Sequence, residues 1–192
     1  RYGFRCVFAD PETYEHACEM LAGTDVIVAG AIDFPEGALT LEEELPEFER
    51  YAQAGFTEID YVLNQRAVDE RDFDAIEHEM RGVAEFCRAH GMRDKVIVEM
   101  PKLESEADKR RVCEIALKAR PAFLKTSSGR PYQATLDDVR LMAEVLGDKV
   151  QVKAAGGIRT YGQAKAFIEA GASALGATAG IAIVEGERAA GA

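Results

Sequence analysis

The sequence predicts an α/β fold in which parallel strands close into a (β/α)8 barrel. Three observations point there: short β-rich runs alternate with longer amphipathic segments, the runs are nearly all apolar, and no glycine-rich turn follows the first of them. Alternating strand and helix marks βαβ units and a parallel sheet. Strands covered on both faces read as continuous apolar runs. A doubly wound open sheet would show the same alternation, but would usually bring a glycine-rich turn after its first strand. The barrel is favoured on that ground. The 192 residues make one domain, 1–192, and 47% hydrophobic content is enough for a sizeable core.

In chain order, the first strand is expected at Phe4–Phe8, entered from Arg1-Tyr2-Gly3, which reads as the tail of a helix. A strand at Asp25–Ile32 leads to a helix over Glu42–Ala54, and Gly55 then supplies the residue on which helices commonly end. Strands at Glu58–Leu63 and Lys95–Met100 enclose a helix over Asp72–His90. A helix over Glu104–Lys118 shows Val112, Ile115 and Ala116 on one side and Lys109, Arg110 and Glu114 on the other. The strand Ala122–Thr126 follows it. Thr135 and Thr160 suit the starts of helices over Leu136–Leu146 and Tyr161–Ala170. Strands at Val150–Ala154 and Ala172–Gly176 bring the count to seven. A parallel barrel closes with eight, so the first βα unit is expected to be missing from this chain.

The net charge of −11 opposes phosphate backbones and anionic bilayers, so neither nucleic acid nor membrane is an expected partner. No apolar run approaches the roughly 18 residues of a membrane span, and no basic-then-apolar leader opens the chain, so a cytoplasmic location is expected. Cys6, Cys18, Cys87 and Cys113 lack C-x-x-C spacing and read as buried, reduced thiols rather than zinc ligands or a disulfide framework. His16, His78 and His90 fall in helical, charged surroundings and read as solvated.

Chemistry is signalled by polar side chains at the C-terminal ends of apolar strands, the edge where such barrels carry their active sites. Asp60 lies in Glu-Ile-Asp-Tyr-Val, Glu99 ends Val-Ile-Val-Glu, Lys125 ends Phe-Leu-Lys-Thr, and Lys153 ends Val-Gln-Val-Lys. Desolvating an ammonium is costly, and lysines on consecutive strands stand about 4.8 Å apart. A second cation in a low-dielectric pocket favours the neutral amine, which can attack a carbonyl and form a Schiff base. The protonated imine withdraws electrons, the adjacent carbon loses a proton, and Asp60 is placed to move that proton directly or through water. The alternative is a structural ion pair between Lys125 and Glu99 or Asp60. Turns 126–130, 155–160 and 176–180 are glycine-rich, and the last two would follow strands 7 and 8 of a full barrel. Backbone N–H groups and a helix N-terminus converge there on phosphate in such folds. Glycines that only allow tight turns are the alternative.

Phe-Leu-Lys-Thr-Ser-Ser-Gly (123–129), Val-Lys-Ala-Ala-Gly-Gly-Ile-Arg-Thr (152–160) and Glu-Ile-Asp-Tyr-Val-Leu-Asn (58–64) resemble the signature stretches of the deoxyribose-phosphate aldolase family, class I Schiff-base aldolases built on a TIM barrel. Asp33-Phe34-Pro35-Glu36-Gly37 resembles that family's Phe-Pro-x-Gly turn, and Gly180–Gly186 is similar to its closing helix. The resemblance implies reversible cleavage of 2-deoxy-D-ribose 5-phosphate to acetaldehyde and D-glyceraldehyde 3-phosphate. It also implies no metal or other cofactor, and a homodimer. By motif, Lys125 would form the Schiff base, Lys153 would be the neighbouring cation that favours its neutral form, and Asp60 would be the acid/base working with an ordered water. Gly129, Arg130, Gly156, Gly157, Arg159 and Gly176 would form the phosphate pocket, with Thr178 nearby.

Three features depart from the family pattern. Thr178-Ala179 stands where Ser-Ser is usual, Asp33 where a small or neutral residue is usual, and the polar residues of the family's first strand have no counterpart. Two other readings therefore stay open: a Schiff-base aldolase acting on a different, non-phosphorylated aldehyde, and a non-catalytic barrel that binds a phosphorylated metabolite.

Overall fold

Strand, helix, strand recurs along the chain as the apolar pattern predicts, and the computed structural model describes it for residues 2–191. The strands are β1 (Cys6–Phe8), β2 (Ile27–Ile32), β3 (Glu58–Val62), β4 (Arg93–Ile97), β5 (Phe123–Lys125), β6 (Gln151–Ala155) and β7 (Ala174–Gly176). The helices are α1 (Tyr14–Met20), α2 (Leu41–Ala54), α3 (Gln65–Glu70), α4 (Phe73–Ala89), α5 (Glu106–Ala119), α6 (Leu136–Leu146), α7 (Tyr161–Glu169) and α8 (Gly180–Ala190). The seven strands form one parallel sheet in the order of the sequence. No helix is long and apolar enough to cross a membrane among the described residues.

The sheet curls. In a flat sheet five spacings of about 4.8 Å would separate β1 from β6. Yet Lys153 Nζ on β6 lies 5.1 Å from the centre of the Phe8 ring on β1. Curling gives every strand an inner and an outer face. Outward residues such as Ile59, Tyr61, Val96, Val98, Leu124 and Val152 join Phe48, Met80, Val112 and Met142 of the helices in one apolar core. Each such side chain, once covered, contributes about 1.5–3 kcal/mol. Helix α2 packs so closely on β2 that a Cβ at Gly30 would lie 2.3 Å from Tyr51 Cε1, which explains glycine there.

Helix ends follow the sequence signals. Thr135 Oγ1 accepts from the Asp138 N–H and Thr160 Oγ1 from the Gln163 N–H. Gly55 and Gly171 take positive φ of 100° and 112° where helices turn back towards strands. Other expectations need correction. Tyr2 and Gly3 are irregular rather than helical, and Arg1 lies outside the described residues. Strand β4 begins at Arg93 and ends at Ile97, because Glu99 adopts a left-handed φ of 61° and starts a 3-10 turn at Met100–Lys102. Cys87 and Cys113 are buried, whereas Cys6 and Cys18 are only half-buried. The three histidines are exposed on or at the end of helices. Helices α1 and α3 have no counterpart in the sequence reading; six or seven residues show too few turns for periodicity to reveal.

Candidate active site

The inner face of the sheet collects charge. Asp60 pairs in register with Lys95 on β4, and Lys125 on β5 with Lys153 on β6. All four side chains point into the curl, and Asp60 takes all three ammonium groups. Lys95 Nζ donates to Asp60 Oδ1 at 3.0 Å, while Lys125 and Lys153 donate to Oδ2 at 2.7 and 2.6 Å. None of the four exceeds 5% exposure, so these contacts act with little solvent screening. Behind them Lys95 Nζ also lies 3.0 Å from Glu58 Oε2. Arg5 pairs with the same Glu58, and Arg93 approaches it at 3.8 Å.

This arrangement separates protonation states. Burial opposes ionisation of Asp60, but Lys125, Lys153 and Lys95 outweigh it and hold the carboxyl well below the usual carboxylate range. Burial lowers Lys153 to about 8; Asp60 opposes that fall, and Lys125 and Lys95 reinforce it. For Lys95, burial is outweighed by Asp60 and Glu58, which hold its pKa above the ordinary lysine value. The centre therefore contains a fixed carboxylate, a fixed ammonium, and one lysine that gives up its proton near neutrality.

The surrounding loops are tied down by short polar contacts. Glu99 pairs with neither Lys125 nor Lys153; its carboxylate accepts the Ser128 N–H at 2.8 Å and fixes the turn after β5. Ser127 Oγ donates to the Ala155 carbonyl at 2.6 Å, joining that turn to the end of β6. The two turns touch backbone to backbone: a Cβ on Gly156 would lie 2.8 Å from Gly129 Cα. Gly129, Gly156 and Gly157 all have positive φ. The structure thus brings these three glycines together at the edge that also carries Lys125 and Lys153.

Arg130, Arg159 and Thr178 are exposed beyond those turns, and Gly176 ends β7 beside Lys153. At α7 the Gln163 side chain accepts the N–H groups of Arg159 and Thr160, so those two donors are already engaged. Asp33 follows β2, but its carboxylate accepts the Leu39 N–H at 2.7 Å and closes its own turn. The next residue, Phe34, is 40% exposed and places its ring 5.4 Å from Lys125 Nζ. A cavity of about 490 Å³ between β1, β7 and α8 reaches Lys95, Lys153, Gly176 and Thr178.

Sequence reading missed Lys95, Glu58, Arg5 and Phe34. Lys95 opens the strand expected at Lys95–Met100, where a charged first residue carries no signal. The available signal was period-two spacing: Glu58 and Asp60 share one strand face, and Arg93 and Lys95 share the facing one.

Comparison with known proteins adds the following. No family model matches the chain. A deoxyribose-phosphate aldolase of Caldanaerobacter subterraneus subsp. tengcongensis is 44% identical over 186 residues, which is 96% of this chain and 80% of that protein. A putative deoxyribose-phosphate aldolase from Coccidioides immitis superposes with a TM-score of 0.88 at 33% identity, over 97% of this chain and 74% of the other. The deoxyribose phosphate aldolase of Aeropyrum pernix, described as tetrameric, gives 0.87 at 26% identity, over 98% and 80%.

Proposed function

The chain belongs to the deoxyribose-phosphate aldolase family, and we propose that it cleaves 2-deoxy-D-ribose 5-phosphate reversibly to acetaldehyde and D-glyceraldehyde 3-phosphate through a Schiff base on Lys125. The observation that carries the residue assignment is one buried carboxylate oxygen shared by lysines on adjacent strands.

In this reading the uncharged amine of Lys125 adds to the substrate aldehyde, water leaves, and a protonated imine forms. The substrate's C3 hydroxyl then loses its proton, the C2–C3 bond breaks, and the electron pair moves into the imine to give an enamine. D-glyceraldehyde 3-phosphate departs. The enamine carbon takes up a proton, and hydrolysis releases acetaldehyde and the free amine. Lys153, lowered to about 8, is suited to accept and return protons near neutral pH. Asp60 remains a carboxylate, so its part is to orient both lysines and stabilise the cationic imine. In this proposal the acid/base role expected of Asp60 is shared with Lys153.

Gly129, Gly156, Gly157 and Gly176 supply close backbone at the same edge, and we assign them to the phosphate together with Thr178 and the exposed Arg130 and Arg159. Asp33 is engaged in its own turn, which removes one objection to an anionic substrate. The expected eight-stranded form and the homodimer remain part of this proposal. A further parallel strand between β7 and β1 would cover Phe8 and Ile181, each 51% exposed.

Peptide mass spectrometry after borohydride reduction tests the assignment, with acetaldehyde and 2-deoxyribose 5-phosphate in parallel. A reduced two-carbon adduct on Lys125 in both reactions, lost in Lys125→Arg, is expected, because a guanidinium cannot form the imine. An adduct on Lys153 would reverse the roles of the two lysines. An adduct from acetaldehyde alone would favour a different, non-phosphorylated substrate.

A further inference from the structure

The third lysine of the cluster has no part in the reaction as written, yet it is the most buried of the three. Lys95 Nζ stands between two carboxylates two residues apart on β3, 3.0 Å from Glu58 Oε2 and 3.0 Å from Asp60 Oδ1. Its place in the register is opposite Phe123, whereas Ile97, two residues further along β4, is opposite Lys125. Lys95 is therefore rooted one inward-facing step deeper than the reacting lysine.

We infer that Lys95 is a positioning residue: it fixes Asp60 by Oδ1 so that Oδ2 faces Lys125 and Lys153, and its charge sets the pH range in which those two lysines work. The inference rests on the aldolase reading above.

The charges facing Lys95 come from every side of the curl. Glu58 and Asp60 project from β3, Arg93 from its own strand, Lys125 from β5 and Lys153 from β6; Arg5 reaches Glu58 from beside β1. The neighbouring ring of Phe8 is 6.0 Å from Lys95 Nζ and brings no compensating charge. Three buried ammonium groups thus share two buried carboxylates, while Arg5 and Arg93 reach Glu58 from a partly exposed rim. Such an excess is relieved when the least compensated cation releases its proton. Lys95 has two carboxylate partners and keeps its proton. Lys153 shares a single carboxylate oxygen with Lys125 and is the one drawn down, with Lys95 among the causes. The deeper ammonium retains its charge, and that favours loss of a proton by Lys153 above it.

Two substitutions move this balance in opposite directions. Lys95→Met removes a positive charge, so the acid limb of Schiff-base formation should rise by about one pH unit, the size expected of a charge this close. Glu58→Gln leaves Lys95 in place and removes the negative charge behind it, so the limb should fall. The experiment is cyanoborohydride trapping of the acetaldehyde adduct, measured against pH in wild type and both variants, with circular dichroism confirming the fold. A purely structural role would lower the melting temperature or the trapped yield without moving the limb. An unmoved limb in folded Lys95→Met overturns the inference while leaving the aldolase reading intact. If Lys95→Met does not fold, Glu58→Gln decides alone: a downward shift supports the inference and an unmoved limb overturns it. Wild-type protein that forms no adduct at any pH overturns the aldolase reading and this inference with it.

Discussion

Glu44, on the inner side of α2, is fully buried, and neither carboxyl oxygen has a hydrogen-bond partner among the described residues. Burial, then Glu79 and Asp33, pushes its pKa up from 4.5 to about 10. The group is therefore protonated in the folded protein at neutral pH and ionised in the unfolded chain. An acid whose folded pKa is raised contributes full stability below its unfolded pKa and loses it as pH climbs towards the folded value. Between pH 5 and pH 8 the unfolded carboxyl gives up close to three pH units' worth of proton affinity that the folded one keeps. At 1.36 kcal/mol per unit the wild type should lose roughly 4 kcal/mol over that interval from this group alone. Glu44→Gln removes the ionisation and keeps the shape. Urea unfolding at pH 5 and pH 8 gives the comparison: the variant should approach wild type at pH 5 and exceed it by several kcal/mol at pH 8. Parallel pH dependence in the two proteins would refute the reasoning, since it would mean that Glu44 ionises in the folded state with water or a cation beside it.

Asp60→Asn leaves three buried ammonium groups without their shared counter-ion, and should cost roughly 3–5 kcal/mol of stability at pH 7 together with the activity. The folded-state pKa of Lys153 should drop further below about 8, because Asp60 is what supports it. Since the two proteins differ in the proton held by folded Lys153 only below about pH 8, the part of the loss that comes from this group should shrink as pH rises towards 8 and stay constant above it, which urea titrations on both sides of pH 8 would show. Gly156→Ala forces a side chain onto a backbone with φ of 91° and within 2.8 Å of Gly129 Cα. The left-handed backbone alone costs about 1–2 kcal/mol. Steady-state kinetics should show a raised KM for the phosphorylated substrate with the chemistry at Lys125 less affected; an unchanged KM would remove Gly156 from the phosphate pocket.

The strands were legible because hydrocarbon on the outer face, as at Ile59, Tyr61 and Val98, writes an apolar run into the sequence whatever the inner face carries. Lys125 and Lys153 were legible for the opposite reason, since a lysine ending such a run is chemically conspicuous. Lys95 was not, because as the first residue of the expected strand it only continues the charged run of Arg93 and Asp94. Only the register, which sets it opposite Asp60, turns it inward. Glu99 was misread by the same limit. It does follow an apolar run, but its left-handed backbone turns it from the lysines to the Ser128 N–H, and nothing local in Val-Ile-Val-Glu announces that turn. The protonation states were least accessible, since the assignment of a proton to Lys95 rather than Lys153 depends on which oxygen each ammonium reaches.

The division of each strand into an apolar outer face and a charged inner one also bears on how the chain finds its fold. If β3 paired one residue out of step, its outward and inward residues would exchange places. Glu58 and Asp60 would enter the hydrocarbon beneath α2 and α4, away from Lys95, Lys125 and Lys153. Each stranded charge would cost several kcal/mol, so the slipped sheet could not compete with the native one. The buried charges of the interior therefore act as a proofreading device during folding, penalising every odd-numbered slip of the strands that carry them.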